Sequence, residues 1–286
     1  MKIYLDCYPC FLRQALQAAR LSGADEEQQR LIVERVLDDL RKSGPGSTPP
    51  EMGDRIHRIV RELGGRADPY QSAKEESTRQ ALALYPWLKE LVARADDPLI
   101  TAARISIAGN IIDFGPSHNF NLKDTVERVL AQPFAIDDTV AFRECLATAR
   151  GVLYLADNAG ETVFDRVLID HLATKVIYVV KSGPILNDAI MEDALAAGLD
   201  SVATLIENGY DAPGTILNRC SAEFRRLYNE AELIIAKGQA NYETLSQEGE
   251  RVFFLLQTKC PVISRDAGVP DMSIILKRGG KDRGHH

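Results

Sequence analysis

Residues 151–161 read Gly-Val-Leu-Tyr-Leu-Ala-Asp-Asn-Ala-Gly-Glu. The run 152–156 is apolar without alternation, the pattern of a short strand buried on both faces of a parallel sheet. Asp157 and Asn158 follow at its carboxyl end, Gly160 lets the chain turn, and 162–172 has helical spacing. Ligands of open α/β sheets bind in the crevice beyond the strands' carboxyl ends. A carboxylate beside an amide oxygen is a hard-oxygen donor set, suited to ions such as Mg²⁺. Alone, Asp-Asn-x-Gly fits an Asx turn with a helix cap better than a metal site. The decision rests on what the other strands end in.

Further apolar runs lie at 176–180, 202–206, 233–236 and 252–256, with helical patterns near 162–173, 188–197, 214–229 and 241–247 between and around them. Unbroken apolar strands alternating with helices predict a parallel-rich sheet covered on both faces. The tips are rich in carboxylates, amides and lysines. Lys181, Asn187 and Asp188 follow the second run, Glu207 and Asn208 the third, Lys237, Gly238, Asn241 and Glu243 the fourth, and Lys259 and Cys260 the fifth. A shorter apolar segment, 105–108, ends in Gly109 and Asn110, with Asp113 close behind. Tips of a parallel sheet share one edge, so these groups are expected to converge. Asp157, Asn158 and Asp188 are the candidate ligands of a divalent cation, and Lys237 and Lys259 the cations that would face an anion beside it. Those parts serve phosphoryl transfer. Backbone N–H groups at Gly160, Gly183 and Gly238, near helix starts, would add anion donors. Each residue also has an ordinary structural role open to it: Asp157 and Asp188 as caps, the lysines as solvated side chains.

Residues 1–98 read as a helical subdomain, with helices expected around Phe11 to Ala19, Ile32 to Leu40, Ile56 to Leu63, and over 71–95 with a kink near Pro86. The stretch 43–50, Ser-Gly-Pro-Gly-Ser-Thr-Pro-Pro, is a break. The α/β domain is expected over 99–276, and 277–286, rich in glycine and charge, as a flexible tail.

The chain has 286 residues, 45% hydrophobic and 26% charged, enough for a sizeable core. A net charge of −7 speaks against a general nucleic-acid or anionic-membrane binder. No apolar run reaches the ~18–20 residues that span a bilayer, and Asp6 falls where a signal peptide needs apolar residues. A cytoplasmic location is expected, and five scattered cysteines fit reduced thiols. Glycine-rich dinucleotide loops, a Walker A sequence and a Gly-x-Ser-x-Gly elbow are missing. The histidines have no zinc-like spacing, so acid–base work would fall to carboxylates. Cys7-Tyr8-Pro9-Cys10 is an isolated CxxC at a helix start. It is open to three readings: packed thiols, a redox pair, or metal ligands completed by Cys145, Cys220 or Cys260.

Five motifs in order, Gly109-Asn110-x-x-Asp113, Asp157-Asn158-x-Gly160-Glu161, Gly183-Pro184-x-x-Asn187-Asp188, Lys237-Gly238-x-x-Asn241-x-Glu243 and Lys259-Cys260-Pro261, resemble the damage-control phosphatases, and the opening CxxC resembles their prokaryotic branch. The resemblance spans nearly the whole chain. It implies a Rossmann-like three-layer α/β/α domain with a helical N-terminal subdomain, and a phosphatase dependent on Mg²⁺, Mn²⁺, Co²⁺ or Ni²⁺ that acts on small phosphometabolites. Asp157, Asn158 and Asp188 match metal ligands. Asn110, Lys237 and Lys259 match the phosphate side, with Asp113, Glu161 and Asn241 in support. The expected partner is a small phosphorylated metabolite, sugar phosphate or damaged cofactor. The attacking group is either water or an Asp, with Asp157 the best side-chain candidate. The expectation from a different class is a non-catalytic metal or phosphometabolite binder, or a complex subunit. A methyltransferase is a third, but its glycine-rich nucleoside loop is not evident.

Overall fold

The computed structural model describes residues 1–42, 44, 47–64, 68–111 and 122–280. Asp113, His118, His285 and His286 lie outside the described residues, as do three residues of the 43–50 break, 43, 45 and 46.

The apolar runs form β2 (Gly151–Leu155), β3 (Lys175–Val180), β4 (Thr204–Glu207), β5 (Leu233–Lys237) and β6 (Val252–Gln257). With β1 (Ile136–Asp137) and β7 (Ile274–Arg278) they make one seven-stranded sheet in the order β1-β7-β6-β5-β2-β3-β4. Every pairing is parallel except β6 with β7. The chain runs outward from β2 through β3 to β4, then returns to β5 on β2's other side. The order therefore reverses between β2 and β5, and connections leaving their carboxyl ends diverge and open a crevice there.

Period-two alternation sends the β2 side chains into two cores. Val152 and Tyr154 join a cluster with Leu88, Ile105, Phe142 and Phe164, and Leu153 and Leu155 join one with Phe224, Tyr242 and Ile263. The layers over the first face come from α4 (Gln71–Ala93), α5 (Pro98–Ile111), α7 (Thr139–Thr148) and α8 (Glu161–Ile169), and over the second from α10 (Ala222–Glu230), α11 (Gly238–Leu245) and α12 (Pro261–Ala267). This is the expected α/β architecture, three layers around a parallel-rich sheet. α6 (Leu122–Ala131) and α9 (Met191–Ala196) complete the first layer.

Four local expectations change. The segment 105–108 is helical, the last turns of α5. Ala102, Ala103, Ile105, Ile107 and Ala108 are all fully buried, and a helix that is apolar all round cannot be told from a buried strand by its pattern. Asn110 thus reaches the crevice from a helix end. The stretch 1–98 divides between two cores: α1 (Cys7–Leu21), α2 (Glu26–Lys42) and α3 (Pro49–Gly64) share one of their own, whereas α4 packs on the sheet through Ala81, Leu88 and Val92. α4 runs unbroken through Pro86. The expected tail begins inside β7, where Lys277 and Arg278 pair with Phe254 and Phe253. The strand's last two residues are cations, so this end lacks the unbroken apolar signal of its neighbours.

Candidate functional site

Two loops meet at the tips of β2 and β3. The Ala159 N–H donates to the Asn187 carbonyl and the Ala189 N–H to the Asp157 carbonyl, both at 2.8 Å, and Asn158 and Asp188 form an isolated antiparallel bridge. This zipper makes Asp157, Asn158 and Asp188 neighbours, so the expected trio does come together. The Asn110 Nδ2 donates to Asp157 Oδ2 at 2.8 Å and to Glu161 Oε1 at 2.6 Å; the Asn158 Nδ2 donates to the same two atoms at 3.1 and 2.7 Å. With both amide nitrogens turned onto carboxylates, both amide oxygens face elsewhere, and Asn110 Oδ1 is buried with no hydrogen-bond partner.

At the reversal point the backbone at the start of α11, just past β5, passes directly over Asp157. Gly238, the first residue of α11, has φ +76°, and a Cβ there would lie 1.8 Å from Asp157 Oδ2. Only glycine satisfies both the left-handed backbone and the close approach. α11 starts at this point, so the positive end of its peptide dipoles lies beside the carboxylate.

Lys237 differs from expectation. It is fully buried, and its ammonium donates to the Ser106 carbonyl at 2.9 Å, Asp165 Oδ1 at 2.8 Å and Glu161 Oε2 at 3.2 Å. An ammonium has three donors. All are spent inside the protein, leaving none for a phosphate. Burial alone would push this ammonium's pKa down, but Asp165 and Glu161 hold it up. Asn241 is spent likewise: its Nδ2 donates to the Ala156 and Lys237 carbonyls at 3.1 and 2.8 Å and its Oδ1 accepts from Thr215 Oγ1 at 2.7 Å. It ties the ends of β2 and β5 together. Glu161, nearly fully buried, is an acceptor for Asn110, Asn158 and Lys237 and stands behind the tip carboxylates rather than facing an anion. Lys259 is exposed on the rim, its backbone N–H held by Gln239 Oε1 at 2.7 Å, and it draws the Asp157 pKa down.

Sequence reasoning missed Asp165 and gave Lys181, named among the tips, no role. Asp165, fully buried, accepts from Ser106 Oγ (2.8 Å), Tyr154 OH (2.7 Å), Tyr178 OH (2.8 Å) and Lys237. It sits one helical turn after Glu161 on the same face, and two tyrosines in central strands signal that their hydroxyls need a partner. Burial first, and then Asp165, hold both phenols well above their usual range. Lys181, at the tip of β3, is buried with its ammonium on the Gly214 carbonyl and 3.6 Å from Asp188 Oδ2. That is an ion pair longer than a hydrogen bond, and Asp188 Oδ2 has no hydrogen-bond partner.

Burial is the largest influence on both tip carboxyls. It raises Asp157 well above the usual range, with Glu161 and Asp188 adding to it and Lys259 and Lys181 opposing. Asp188 is pushed up to about 6, with Lys181 pulling down and Glu161 pushing up. The four buried carboxylates Asp157, Glu161, Asp165 and Asp188 face two buried ammoniums, Lys181 and Lys237. With all four ionised, the excess is two negative charges. The donors at the tips are hard oxygens, with Asn110 Oδ1 and Asp188 Oδ2 lacking a hydrogen bond. That set fits a Mg²⁺-like cation. Among the described residues no three His, Cys, Asp or Glu gather as a metal cage, so amide oxygens would have to share the coordination. Nor, among the described residues, is any helix long and apolar enough to cross a membrane.

A parallel-rich α/β sheet with paired carboxylates and amides at its switch point, backed by buried lysines, defines the class: an α/β protein with an oxygen-lined polar site. The sequence profile of the damage-control phosphatase ARMT1-like domain matches residues 3–275. The chain belongs to that family. It is 37% identical to a damage-control phosphatase of Archaeoglobus fulgidus, over 97% of this chain and 99% of the relative. It is 32% identical to damage-control phosphatase PH1575 of Pyrococcus horikoshii, over 97% and 98%. A crystal structure of that Pyrococcus DUF89 family protein superposes with a TM-score of 0.90, covering 98% of this chain and 100% of the other.

Proposed function

We propose that this protein is a divalent-metal-dependent phosphatase that hydrolyses phosphomonoesters of small metabolites, sugar phosphates or damaged cofactor-type phosphates. The carrying observation is the buried oxygen cluster at the β2–β5 reversal, where two oxygens without a hydrogen bond accompany four buried carboxyl groups set against two buried ammoniums. Asp157, Asn158 and Asp188 would hold the ion (Mg²⁺, Mn²⁺, Co²⁺ or Ni²⁺), with Asn110 Oδ1 in reach of the same space. When bound, the ion supplies charge neutralisation at the phosphoryl oxygens. Asp157 is aimed by two amide donors and by the Gly238 backbone, and Lys259 offers its ammonium to the substrate's phosphate from the rim. Lys237 acts as a positioning residue: with Asp165 it fixes Glu161, and Glu161 fixes the amides that orient Asp157. Attack on phosphorus falls to a water or to the Asp157 carboxylate. The relatives' names, damage-control phosphatases of two archaea, support the reaction class.

The test is a panel of sugar and cofactor phosphates, assayed for phosphate release with each of the four metals and with a chelator. Metal-dependent release, lost in Asp157→Asn while the far-UV spectrum is kept, is expected. Wild-type turnover in that variant refutes the assignment. Binding of metal or phosphate without release under any condition would favour a non-catalytic binding protein.

A further inference from the structure

The cysteines lie outside this site, and the fold gives three of them a common location. Cys7 is the first residue of α1 and buried; Cys10 follows one turn later and is exposed. Cys260 caps the start of α12 and packs against the apolar cluster that holds Cys7 and Phe11. The two helix starts are fastened by Arg265 to Asp6 at 2.6 Å, with the same guanidinium 5.8 Å from the Tyr4 ring. Negative charge on Cys260 would oppose ionisation of both Cys7 and Cys10, and the Glu243 carboxyl adds to the effect. No such trio is gathered as a metal cage among the described residues.

We propose that Cys7 and Cys10 form a reversible dithiol–disulfide site, entered through Cys10. In an α-helix residues three apart share a face with Cα atoms about 5 Å apart, inside the ~4.4–6.8 Å window a disulfide requires. Pro9 fixes the backbone between them at a helix start. Exposed Cys10 attacks a small disulfide RSSR, forming Cys10–S–SR and releasing one RSH. Cys7, one turn away, then displaces the second RSH and closes the ring. In balance, two protein thiols lose two hydrogens and RSSR gains them. Burial, the largest influence, pushes both thiols up, so they rest protonated and exchange through a minor thiolate fraction. Cys260 contacts the same cluster and directly follows Lys259.

The full chain is incubated with glutathione disulfide at mildly alkaline pH. Of the five thiols, three are expected to remain titratable, with tryptic peptide 3–13 lighter by two hydrogens. Cys7→Ser is expected to trap Cys10 as a glutathione adduct, and Cys260→Ser to leave the 7–10 bond intact. All five thiols persisting in the folded wild type, while the denatured chain oxidises, overturns the proposal. So does a cross-link from peptide 3–13 to the peptide carrying Cys260. Stoichiometric zinc that survives dialysis of the wild type and is lost in Cys10→Ser overturns it in favour of a metal site. The peptide mass is read on the wild type, so a variant that fails to fold leaves the test standing.

Discussion

Gly238→Ala isolates the contact on which the site depends. Two costs arise together. The left-handed backbone at φ +76° costs a non-glycine residue about 1–2 kcal/mol. The new methyl would also sit 1.8 Å from Asp157 Oδ2 and 2.3 Å from its Cγ, so the carboxylate must leave its position by an ångström or more. A displacement of that size in a catalytic group costs about 100-fold in rate. Gly198→Ala is the control. Its φ of +71° carries the same backbone penalty, but the nearest atom, at 2.5 Å, is the Arg166 guanidinium, the mobile end of a long side chain remote from the crevice. Both variants should lose a few degrees in Tm, since about 1 kcal/mol moves the midpoint ~2–4 °C in a chain of this size. Only Gly238→Ala should also lose metal-dependent phosphate release and metal affinity, read by the release assay and by calorimetric titration. Equal activity in the two variants would refute the claim that the backbone at the start of α11 positions Asp157.

Asp165→Asn leaves Lys237 and two tyrosine hydroxyls short of a buried anion, and should destabilise by roughly 3 kcal/mol in urea unfolding. Lys259→Ala, on an exposed rim residue, should raise KM for phosphomonoesters and leave the Tm unchanged. His57 is buried, and burial first, then Arg61, depress its pKa from 6.5 to about 4. The unfolded state therefore binds the proton that the folded state refuses, and stability falls as pH drops from 6.5 toward 4, levelling below. At 1.36 kcal/mol per unit the loss is at most about 3 kcal/mol. His57→Gln, which can still meet Gln14, should flatten that limb of a Tm-versus-pH curve.

The strand tips were legible in the sequence because parallel strands buried on both faces leave unbroken apolar runs, and whatever polar residue ends such a run must lie at the crevice. Asp157, Asn158 and Asp188 were found that way. The same logic assigned Lys237 to the phosphate, and the family resemblance added Asn241 in support. Only the packing of α5 and α8 against the sheet shows where their donors go, because which side chain satisfies a buried ammonium depends on residues some 70 to 130 positions away. Asp165 was hidden for the same reason. In a one-dimensional pattern it is an ordinary helical aspartate, and its meaning comes from two strand tyrosines that need an acceptor. α5 misled because its all-round burial erases the helical period. The thiol cluster needs α12 to dock against α1, a contact between chain positions some 250 residues apart. Local pattern carries the elements and their polar ends; charge pairing in a dry interior is decided by distance in space, and only the folded chain sets that.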